Sequence, residues 1–444
     1  MNSSINITGS LVILPHQLYN DDKLDKGIDI VLWEHPHYFK EYKYNKKKLI
    51  LHRASMKYYE DYLKKKGYKV KYINYSSKFT LKNYTIFDPI DNIELPGTYT
   101  MLESPNFLLT KEDYSLYRKK TDKFMFNAFY MWGKKIVDII PNIKSQDKDN
   151  RKKLPRNGSI NIPKLPSGSN SNRDENKFIK SAIIYVNKHF PNNYGNVDNF
   201  IFPISHNTAK KWFLDFINNK FKLFGDYQDS INTDEEYLFH SVLSSSINIG
   251  LLNPKEIIEI LKSKRLITKI PLNSFEGYIR QLFWREYQRY CYIYYDFKNK
   301  KYFNNNSKLT KEWYEGTLGI EPVDNAIKIG FETGYLHHIS RLMIMGNFMN
   351  LSNISPSEGF KWFMEFSCDS YEWVMCQNVY DMVFFVSGGA TMRRPYISSS
   401  NYILKMSDYK KGQWSEKWDN MYQMFIEKNK EELHKFRYYY RVKK

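Results

Sequence analysis

The amino-acid sequence predicts an α/β N-terminal domain with a Rossmann-like parallel sheet, followed by an all-helical domain. Over roughly the first hundred residues, short apolar runs alternate with amphipathic stretches, which is typical of a parallel α/β sheet. From residue 178 onwards, apolar residues recur at helical spacing instead. Between Pro141 and Asn176 they nearly vanish, which indicates a linker or a loop wrapped over the surface.

Five short segments are predicted as strands, with a helix over Lys48–Lys66 that ends before a glycine. No glycine-rich phosphate loop follows the first strand, so the usual dinucleotide chemistry of such a sheet is not expected. The predicted strands are Leu11–Leu14, Asp29–Trp33, Lys69–Ile73, Thr85–Phe87 and Tyr99–Leu102.

Eight longer segments beyond the linker have helical spacing, and no internal repeat is visible. They are Phe178–Phe190, Thr208–Phe224, Tyr237–Ile247, Pro254–Lys264, Phe275–Tyr295, Val323–Phe331, His337–Leu351 and Ser357–Phe366. We therefore expect an α/β domain over 1–135, a linker over 136–176 and a helical domain over 177–444.

The net charge is +19, with an isoelectric point near 9.3. A balance this basic favours polyanions, either nucleic acid or an anionic membrane surface, although a generic lysine-rich surface explains it equally well. The three cysteines have no metal-ligand spacing and indicate a reducing compartment. Because no membrane-spanning run or secretory signal is seen, we expect an intracellular soluble protein in the cytoplasm, the nucleus or a viral particle.

Two segments combine polar side chains with apolar neighbours. In Leu238–Pro254, four serines, a histidine and Asn248 suit close approach to a phosphate, but a helix with a tightly packed serine face explains them better. In Glu276–Tyr287, aromatic rings and guanidinium groups suit stacking on an extruded base and binding of its phosphates. Ion pairs on a half-buried helix are the alternative.

A third segment, Gly334–Phe348, contains His337, His338 and Arg341 in an apolar helix. Adjacent histidines point about 100° apart on a helix, so they form a poor metal pair and no metal site is predicted. One of them could act as an acid or base, since its pKa lies near working pH. Arg341 needs a carboxylate partner, for which Asp369 is the natural candidate.

The fourth segment runs from Gly388 to Ile397 and on to Tyr409. It carries Arg393 and Arg394, followed by Tyr396, Tyr402 and Tyr409. A glycine pair followed by two arginines suits a loop that lies against DNA phosphates. An ordinary basic loop explains the segment equally well.

Together these segments resemble the photolyase–cryptochrome superfamily, and within it the bacterial iron–sulfur (6-4) photolyase branch. The resemblance covers nearly the whole chain. It is carried by the motifs HSxLSxxxNxGLLxP from His240, WREY from Trp284, GYxHHIxRLMxxGNF from Gly334, DxYEWV from Asp369 and PYxxxxNYIxxMSDY from Pro395.

The resemblance implies FAD bound in the helical domain and a flipped-out lesion in UV-damaged DNA as substrate. The residues implied for FAD are His240, Ser241, Leu243, Ser244, Asn248, Arg341, Asp369 and Asn378. The implied catalytic residues are His338 as proton donor, His337 beside it and Trp362 as electron relay. The residues predicted to contact DNA are Arg280, Gln281, Trp284, Arg285, Arg393 and Arg394.

Several positions depart from the family pattern. The four that match cluster cysteines are Pro322, Lys410, Gln413 and Glu416, so we expect no iron–sulfur cluster, since ligation needs thiolates. The tyrosine after the relay tryptophan is Phe363, the outer relay position falls at Tyr314 or Trp313, and Met375 stands where an acidic residue usually faces the flavin. A ribityl-lumazine antenna chromophore is predicted near Glu34.

The sequence thus predicts a monomeric, light-dependent DNA-repair enzyme, with the (6-4) photoproduct favoured as substrate because two histidines are available for proton transfer. A cyclobutane dimer photolyase is the second possibility for the substrate. A cryptochrome-like photoreceptor without repair activity, or a DNA-binding relative without flavin, are the rival functions.

Overall fold

The computed structural model of the chain describes residues 9–22, 24, 26–140, 145–155, 159–438 and 440, with the side chain of Asp147 excepted. Its N-terminal part is a five-stranded sheet in the order β3-β2-β1-β4-β5, and every neighbouring pair is parallel. The strands are β1 (Ser10–Ile13), β2 (Asp29–Trp33), β3 (Lys69–Ile73), β4 (Asn83–Phe87) and β5 (Thr98–Leu102). The predicted parallel α/β domain is therefore confirmed.

Burial of the central strands explains why their sequences are apolar runs rather than alternating patterns. Leu11, Val12 and Ile13 of β1 are at most 1% exposed, as expected for a parallel strand covered on both faces. The edge strand β3 alternates instead, with Lys69 and Lys71 exposed. The two predicted strands with the most continuous apolar sequences, β1 and β2, thus form the middle of the sheet together with β4.

Helices dominate the rest of the described chain. They are α1 (His37–Lys40), α2 (Lys46–Lys65), α3 (Lys111–Lys120), α4 (Phe126–Val137), α5 (Arg173–His189), α6 (His206–Asn219), α7 (Phe221–Tyr227), α8 (Ser244–Asn248), α9 (Pro254–Ser263), α10 (Leu272–Tyr294), α11 (Glu312–Glu315), α12 (Glu321–Thr333), α13 (Asn347–Leu351), α14 (Pro356–Phe366), α15 (Glu372–Met375), α16 (Asn401–Met406), α17 (Gln413–Lys428) and α18 (Lys430–Leu433). Turns of 3₁₀ helix lie at Asp147–Asp149, Ser169–Ser171, Leu266–Thr268 and His434–Phe436.

Two of the predicted helices differ from the structure. The helix predicted over Thr208–Phe224 is divided at Lys220 into α6 and α7. The helix predicted over Tyr237–Ile247 is wrong except for its end, because Leu238 and Val242 adopt positive φ angles of 39° and 53°. Such angles are incompatible with a right-handed helix, so only α8 is helical in this segment.

Two π-helical segments interrupt the helical domain, at Ser340–Gly346 and Cys376–Val383. The first replaces the middle of the helix predicted over His337–Leu351 and leads directly into α13. A π-helix widens the turn and changes the direction of the side chains that follow, and such segments are frequent at functional sites. Arg341 lies in the first segment and Asn378 in the second.

The described part of the predicted linker lies against the helical domain. The backbone N–H of Lys152 donates to the carbonyl of Asp226 at 3.0 Å, and Ser230 Oγ donates to the carbonyl of Lys152 at 2.6 Å. Asn150 is 3% exposed and its amide contacts the carbonyl of Asn273 on α10. The segment is thus fixed over α7 and α10, while the domain boundaries themselves remain a prediction.

Helix α10 joins the helical domain to the chain that leaves the sheet. The carboxylate of Glu286, fully buried, accepts hydrogen bonds from the backbone N–H groups of Leu108 and Leu109 at 3.0 and 3.1 Å and from Tyr114 Oη at 2.9 Å. Three donors compensate the cost of burying one carboxylate. Among the described residues, no helix is both long and apolar enough to cross a membrane.

The carboxyl edge of the sheet is covered by the helical domain. His16, which follows β1, is 5% exposed, and its Nε2 lies 3.0 Å from the carbonyl of Pro89. Its ring packs against Tyr38 and against Tyr371 of the helical domain, with centroid distances of 4.5 and 5.3 Å. Burial lowers the pKa of His16 to about 3. The edge at which α/β sheets usually bind ligands is therefore an internal interface here.

The lowered pKa of His16 predicts a loss of stability in acid. The unfolded chain takes up a proton near pH 6.5, whereas folded His16 stays neutral until about pH 3, so its contribution to stability is lost as the pH falls below about 6.5. Substitution His16→Gln should reduce the loss of unfolding free energy between pH 7 and pH 5 by about 2 kcal/mol. Urea denaturation at both pH values measures the difference.

The matched control is His434→Gln, since His434 is exposed in the last 3₁₀ turn. It should keep the wild-type pH dependence. Equal pH dependence in His16→Gln and the wild type would show that His16 is not buried as described.

Candidate functional site

The segment that leads into α8 brings its polar residues to the interior through an irregular backbone. The side chain of Lys220, 2% exposed, donates from Nζ to the carbonyl of Leu238 at 2.7 Å and holds the turn in place. His240 is 7% exposed, and Asn248 at the end of α8 is also 7% exposed. The bent path, rather than a continuous helix, places both residues in the same region of the core.

An ion pair between Arg341 and Asp369 lies at the centre of this region. Arg341 Nη1 and Nη2 donate to the two carboxylate oxygens of Asp369 at 2.9 and 3.1 Å, and Arg341 Nε donates to the carbonyl of Leu336 at 2.6 Å. This paired geometry is the strongest that a guanidinium and a carboxylate can form. The pairing predicted from the sequence is therefore present.

Further contacts join Asp369 to the predicted flavin segment. Asn248 Nδ2 donates to the carbonyl of Asp369 at 2.8 Å. Burial alone would raise the pKa of Asp369, but the charge of Arg341 and hydrogen bonds from Arg341, Ser244 and Ser367 lower it below its usual value. The structure thus brings together four of the residues predicted for FAD: Ser244, Asn248, Arg341 and Asp369.

Three histidines converge beside the ion pair. The rings of His240 and His337 are nearly parallel, with centroids 5.0 Å apart, and the ring of His338 lies 5.7 Å from His240 and 6.2 Å from His337. One ring nitrogen from each residue lies within 4.8 Å of those of the other two. From the sequence, only the adjacent pair was predicted. His240 was missed as the third member, because residues so far apart in sequence carry no common local pattern.

The three imidazoles differ in their surroundings. Burial lowers the pKa of both His240 and His337 well below the usual value, and the neighbouring histidines lower it further. The side chain of His338 is 40% exposed, and its Nε2 lies 3.1 Å from Asp229 Oδ1. Arg151 of the linker lies 3.8 Å from the other oxygen of Asp229. His338 is therefore the member of the cluster that solvent and a substrate can reach.

Two acidic residues at this site were not predicted. Asp229 contacts His338, and Glu236 Oε1 accepts the backbone N–H of His337 at 3.0 Å. Burial raises the pKa of Glu236 to about 8, although the N–H of His337 and the charge of Arg341 act in the opposite direction. Both lie in a polar stretch with the composition of a surface loop, so no local signal distinguished them.

A pocket of about 490 Å³ adjoins Arg151 at the surface. Its lining residues come from the linker, α7 and α10. They are three cationic side chains, two carboxylates and two amides: Lys148, Arg151, Lys152, Asp149, Asp226, Gln146 and Asn273. Lys152 pairs with Asp226 at 3.0 Å, whereas Lys148 and Arg151, next to the exposed histidine, suit contact with a phosphate of a bound polynucleotide.

The side chain of Trp362, on α14, is fully buried in the protein core. Its Nε1 donates to the carbonyl of Trp313 at 2.8 Å, and its ring lies 5.6 Å from Phe331. Tyr314 lies on the other side of Phe331 and stacks on Tyr194 at 4.4 Å. Both candidates for the outer relay position are thus near Trp362. Trp313 contacts it directly with its backbone carbonyl, and Phe331 lies between Trp362 and Tyr314.

The predicted DNA-contacting residues of α10 do not form one exposed surface. Trp284 stacks on Phe126 of α4 with centroids 3.7 Å apart, and the guanidinium of Arg280 lies over the rings of Phe126 and Tyr130. Gln281 is exposed. This side of α10 therefore packs mainly against α4, which neither alternative considered from the sequence had included.

Arg285 points to a different side of α10 from Trp284. Its side chain is 10% exposed, Nε donates to Asn248 Oδ1 at 2.9 Å, and Nη1 donates to the carbonyl of Asn106 at 2.7 Å. This burial removes Arg285 from the residues that could contact DNA and makes it a support for α8. In the fourth segment, by contrast, Arg393 is exposed and Arg394 is partly exposed.

Glu34 is fully buried at the end of β2, and its carboxylate is surrounded by donors of this chain. Arg53 Nη1 and Tyr72 Oη donate to Oε1 at 2.6 and 2.7 Å, while Tyr185 Oη and the backbone N–H of Tyr75 donate to Oε2 at 3.0 and 3.1 Å. These four bonds explain a glutamate at this position, and its role in binding an antenna chromophore stays a prediction.

The positions that match cluster ligands hold no thiol. Gln413 and Glu416 are exposed in the first turn of α17, Lys410 is exposed just before that helix, and Pro322 is buried in the first turn of α12. The three cysteines, Cys291, Cys368 and Cys376, are each buried and free. The absence of an iron–sulfur cluster remains an expectation that follows from these side chains.

Several buried polar atoms around α8 suit a phosphate-bearing ligand. Ser245 Oγ, Ser246 Oγ and His240 Nε2 are buried without a hydrogen-bond partner in the described part of the chain. Unsatisfied buried donors are costly, and the serine hydroxyl groups can donate to a diphosphate. The other residues predicted for FAD differ: Leu243 is a core side chain, Ser241 is partly exposed, and Asn378 Nδ2 donates to the carbonyl of Val374 at 2.8 Å.

The ion pair of Arg341 predicts a large effect of substitution. In Asp369→Asn the guanidinium of Arg341 remains largely buried without a compensating charge, so the free energy of unfolding should fall by about 3–5 kcal/mol. Chemical denaturation measures it. The control is Asp61→Asn, since Asp61 pairs with Lys65 at the surface, where the change should stay within about 0.5 kcal/mol. Similar losses in both variants would contradict the central role of Asp369.

Comparison with known proteins agrees with this arrangement. A family model described as "Deoxyribodipyrimidine photo-lyase-related protein" matches residues 11–93 and 79–202. A (6-4) photolyase of Agrobacterium fabrum (strain C58 / ATCC 33970) is 37% identical over 236 residues, which cover 52% of this chain and 46% of that protein. The matched region thus spans about half the length of that relative.

Two further similarities complete the comparison. The uncharacterized protein R855 of Acanthamoeba polyphaga mimivirus is 57% identical over 88 residues, which are 20% of this chain and 72% of that protein. The crystal structure of a bacterial class III photolyase from Agrobacterium tumefaciens superposes with a TM-score of 0.60 at 15% identity, covering 96% of this chain and 88% of that one. The fold and the sequence similarities agree, and together they support membership of the photolyase-related superfamily.

Proposed function

We propose that this protein is a light-dependent DNA-repair enzyme that acts on a UV-induced pyrimidine dimer, with the (6-4) photoproduct favoured over the cyclobutane dimer. The observation that carries the proposal is an accessible imidazole, His338, paired with Asp229 beside a buried polar core. FAD would be held in that core by Ser244, Asn248, Arg341 and Asp369, and in its reduced form it would supply, under light, the electron that opens the dimer.

His338 would act as the proton donor to the lesion. In the protonated ring, Nε2–H donates to Asp229 Oδ1 at 3.1 Å, which leaves Nδ1–H free to donate to a bound base. Asp229 stabilises the imidazolium and fixes the ring, as a carboxylate does for other catalytic histidines. Arg151 holds the second oxygen of Asp229 from the linker side. Repair of a (6-4) photoproduct needs such a donor, whereas a cyclobutane dimer needs electron transfer alone.

The DNA would lie across the linker segment and the loop of Arg393. The lesion has to leave the base stack to reach a buried cofactor, so the contacts that hold the duplex are expected around the mouth of the site. Arg151, Lys148 and Lys152 line the pocket there. The net charge of +19 supports a polyanionic partner.

The decisive experiment combines cofactor extraction with repair assays on oligonucleotides that carry a single (6-4) photoproduct or a single cyclobutane dimer. The purified protein should release FAD, contain no iron, and repair the (6-4) lesion in light but not in the dark. His338→Ala should lower the repair rate by about 10²–10⁴-fold while it retains FAD. His434→Ala, at an exposed histidine, should keep the wild-type rate.

The other results each exclude part of the proposal. Repair of the cyclobutane dimer alone would make that lesion the substrate. Bound FAD without repair of either lesion would indicate a cryptochrome-like photoreceptor, and a protein that binds no flavin would contradict the proposal as a whole. Full (6-4) activity in His338→Ala would exclude its role as proton donor.

Arg393 should contribute one phosphate contact. Substitution Arg393→Gln should weaken binding of lesion-bearing duplex and lower the log–log dependence of the binding constant on salt by roughly 0.9. Fluorescence anisotropy over a series of salt concentrations measures the slope. Arg173→Gln is the matched control, because Arg173 is exposed in α5, which packs against α2. An unchanged slope in Arg393→Gln would place this side chain away from DNA.

A further inference from the structure

We propose that His240, His337 and His338 form a binding site for a divalent transition-metal ion such as Zn²⁺. One ring nitrogen of each residue lies within 4.8 Å of those of the other two. Imidazole is a preferred ligand for zinc, copper, nickel and cobalt. Three histidines from two separate segments, gathered in a mostly buried position, are a ligand set of a recognised kind.

The hydrogen bonds of these rings leave a nitrogen of each ring available for a metal ion. His337 contacts Ser340 Oγ through Nε2 at 3.0 Å, while its buried Nδ1 has no partner. His240 Nε2 is likewise buried without a partner among the described residues. His338 uses Nε2 towards Asp229, which leaves Nδ1. A metal-binding histidine usually has one nitrogen on the ion and the other held by a carboxylate, carbonyl or hydroxyl.

Closing the site on an ion requires a limited movement. Nitrogens bound to zinc at 2.0–2.1 Å in tetrahedral geometry are about 3.4 Å apart, so the rings must approach by about an ångström. The rings of His240 and His337 differ in plane by only 12°, and one of them has to tilt before both nitrogens point to the same ion. The exposed side of His338 leaves a fourth position for water.

The donor atoms decide which ions the site would accept. Three nitrogens without a directly coordinating carboxylate suit Zn²⁺, Co²⁺, Ni²⁺ or Cu²⁺ and disfavour Mg²⁺ and Ca²⁺, which take oxygen ligands. A bound ion would also occupy the remaining nitrogen of His338. This consequence rests on the proposed function: Zn²⁺ would then inhibit repair by removing the proton donor.

Titration of the purified protein with Co²⁺ in the dark and without DNA tests the site directly. We expect one saturable equivalent, with the visible d–d absorption of four-coordinate cobalt, displaced by Zn²⁺ and not by Mg²⁺. Each of His240→Ala, His337→Ala and His338→Ala should bind Co²⁺ at least tenfold more weakly. His434→Ala, at an exposed histidine, is the control and should bind as the wild type does.

A variant at a residue that is not a metal ligand tests the site if the alanine variants fail to fold. The side chain of Asp229 is 18% exposed, and Asp229→Asn should reduce affinity by about 10–100-fold, as loss of the partner of a ligating histidine does. Wild-type affinity in all three alanine variants, or six-coordinate cobalt only, would overturn the proposal. Because the titration uses neither light nor a lesion, its failure is distinguishable from a failure of the repair assay.

Discussion

The ion pair between Arg341 and Asp369 is the interaction on which the arrangement of the site depends. A guanidinium can be placed in a largely apolar helix only if a carboxylate and further acceptors compensate its desolvation. Asp369 provides this and also receives Asn248 from α8 through its carbonyl. Three segments that are distant in sequence are therefore held in one position by a single buried charge pair.

The histidine cluster is a consequence of that arrangement. Arg341 lies one helical turn after His337 and His338, so the ion pair that fixes Arg341 also fixes the segment that carries both histidines. The bent backbone before α8 brings His240 to the same place. His240 and His337 are buried and His338 is accessible, so the cluster extends from the protein interior to the solvent. The accessible ring suits proton donation to a bound base, and the three rings together provide nitrogens that could hold a metal ion.

The sheet and the helical domain share an interface that leaves little room for ligands of the usual α/β kind. The carboxyl edge of the sheet is covered by residues such as Tyr371, which contacts His16 and His52. Glu34 has its hydrogen-bonding capacity taken up by four donors. Glu34 and His16, polar residues of the N-terminal motifs, therefore have structural partners, and the candidate site lies in the helical domain.

Much of the fold could be predicted because burial leaves a local pattern. Central parallel strands are apolar throughout, so β1 and β2 were identified nearly to the residue, and the helical periodicity of α9, α10, α12 and α14 located these elements within a few residues. The pairing of Arg341 with Asp369 was also predictable, because an arginine among apolar residues requires an acidic partner.

The remainder depended on contacts that no local pattern encodes. The helix predicted at Tyr237–Ile247 fails because tertiary contacts, including Lys220 on Leu238, hold the backbone at positive φ. Arg285 and Trp284 share one helix, but the direction of each side chain is set by what packs there, α8 for one and α4 for the other. The sequence by itself determined the order of elements and the chemical groups available. Only the tertiary structure decided which of these groups meet, because their meeting depends on distances between segments that are far apart in the chain.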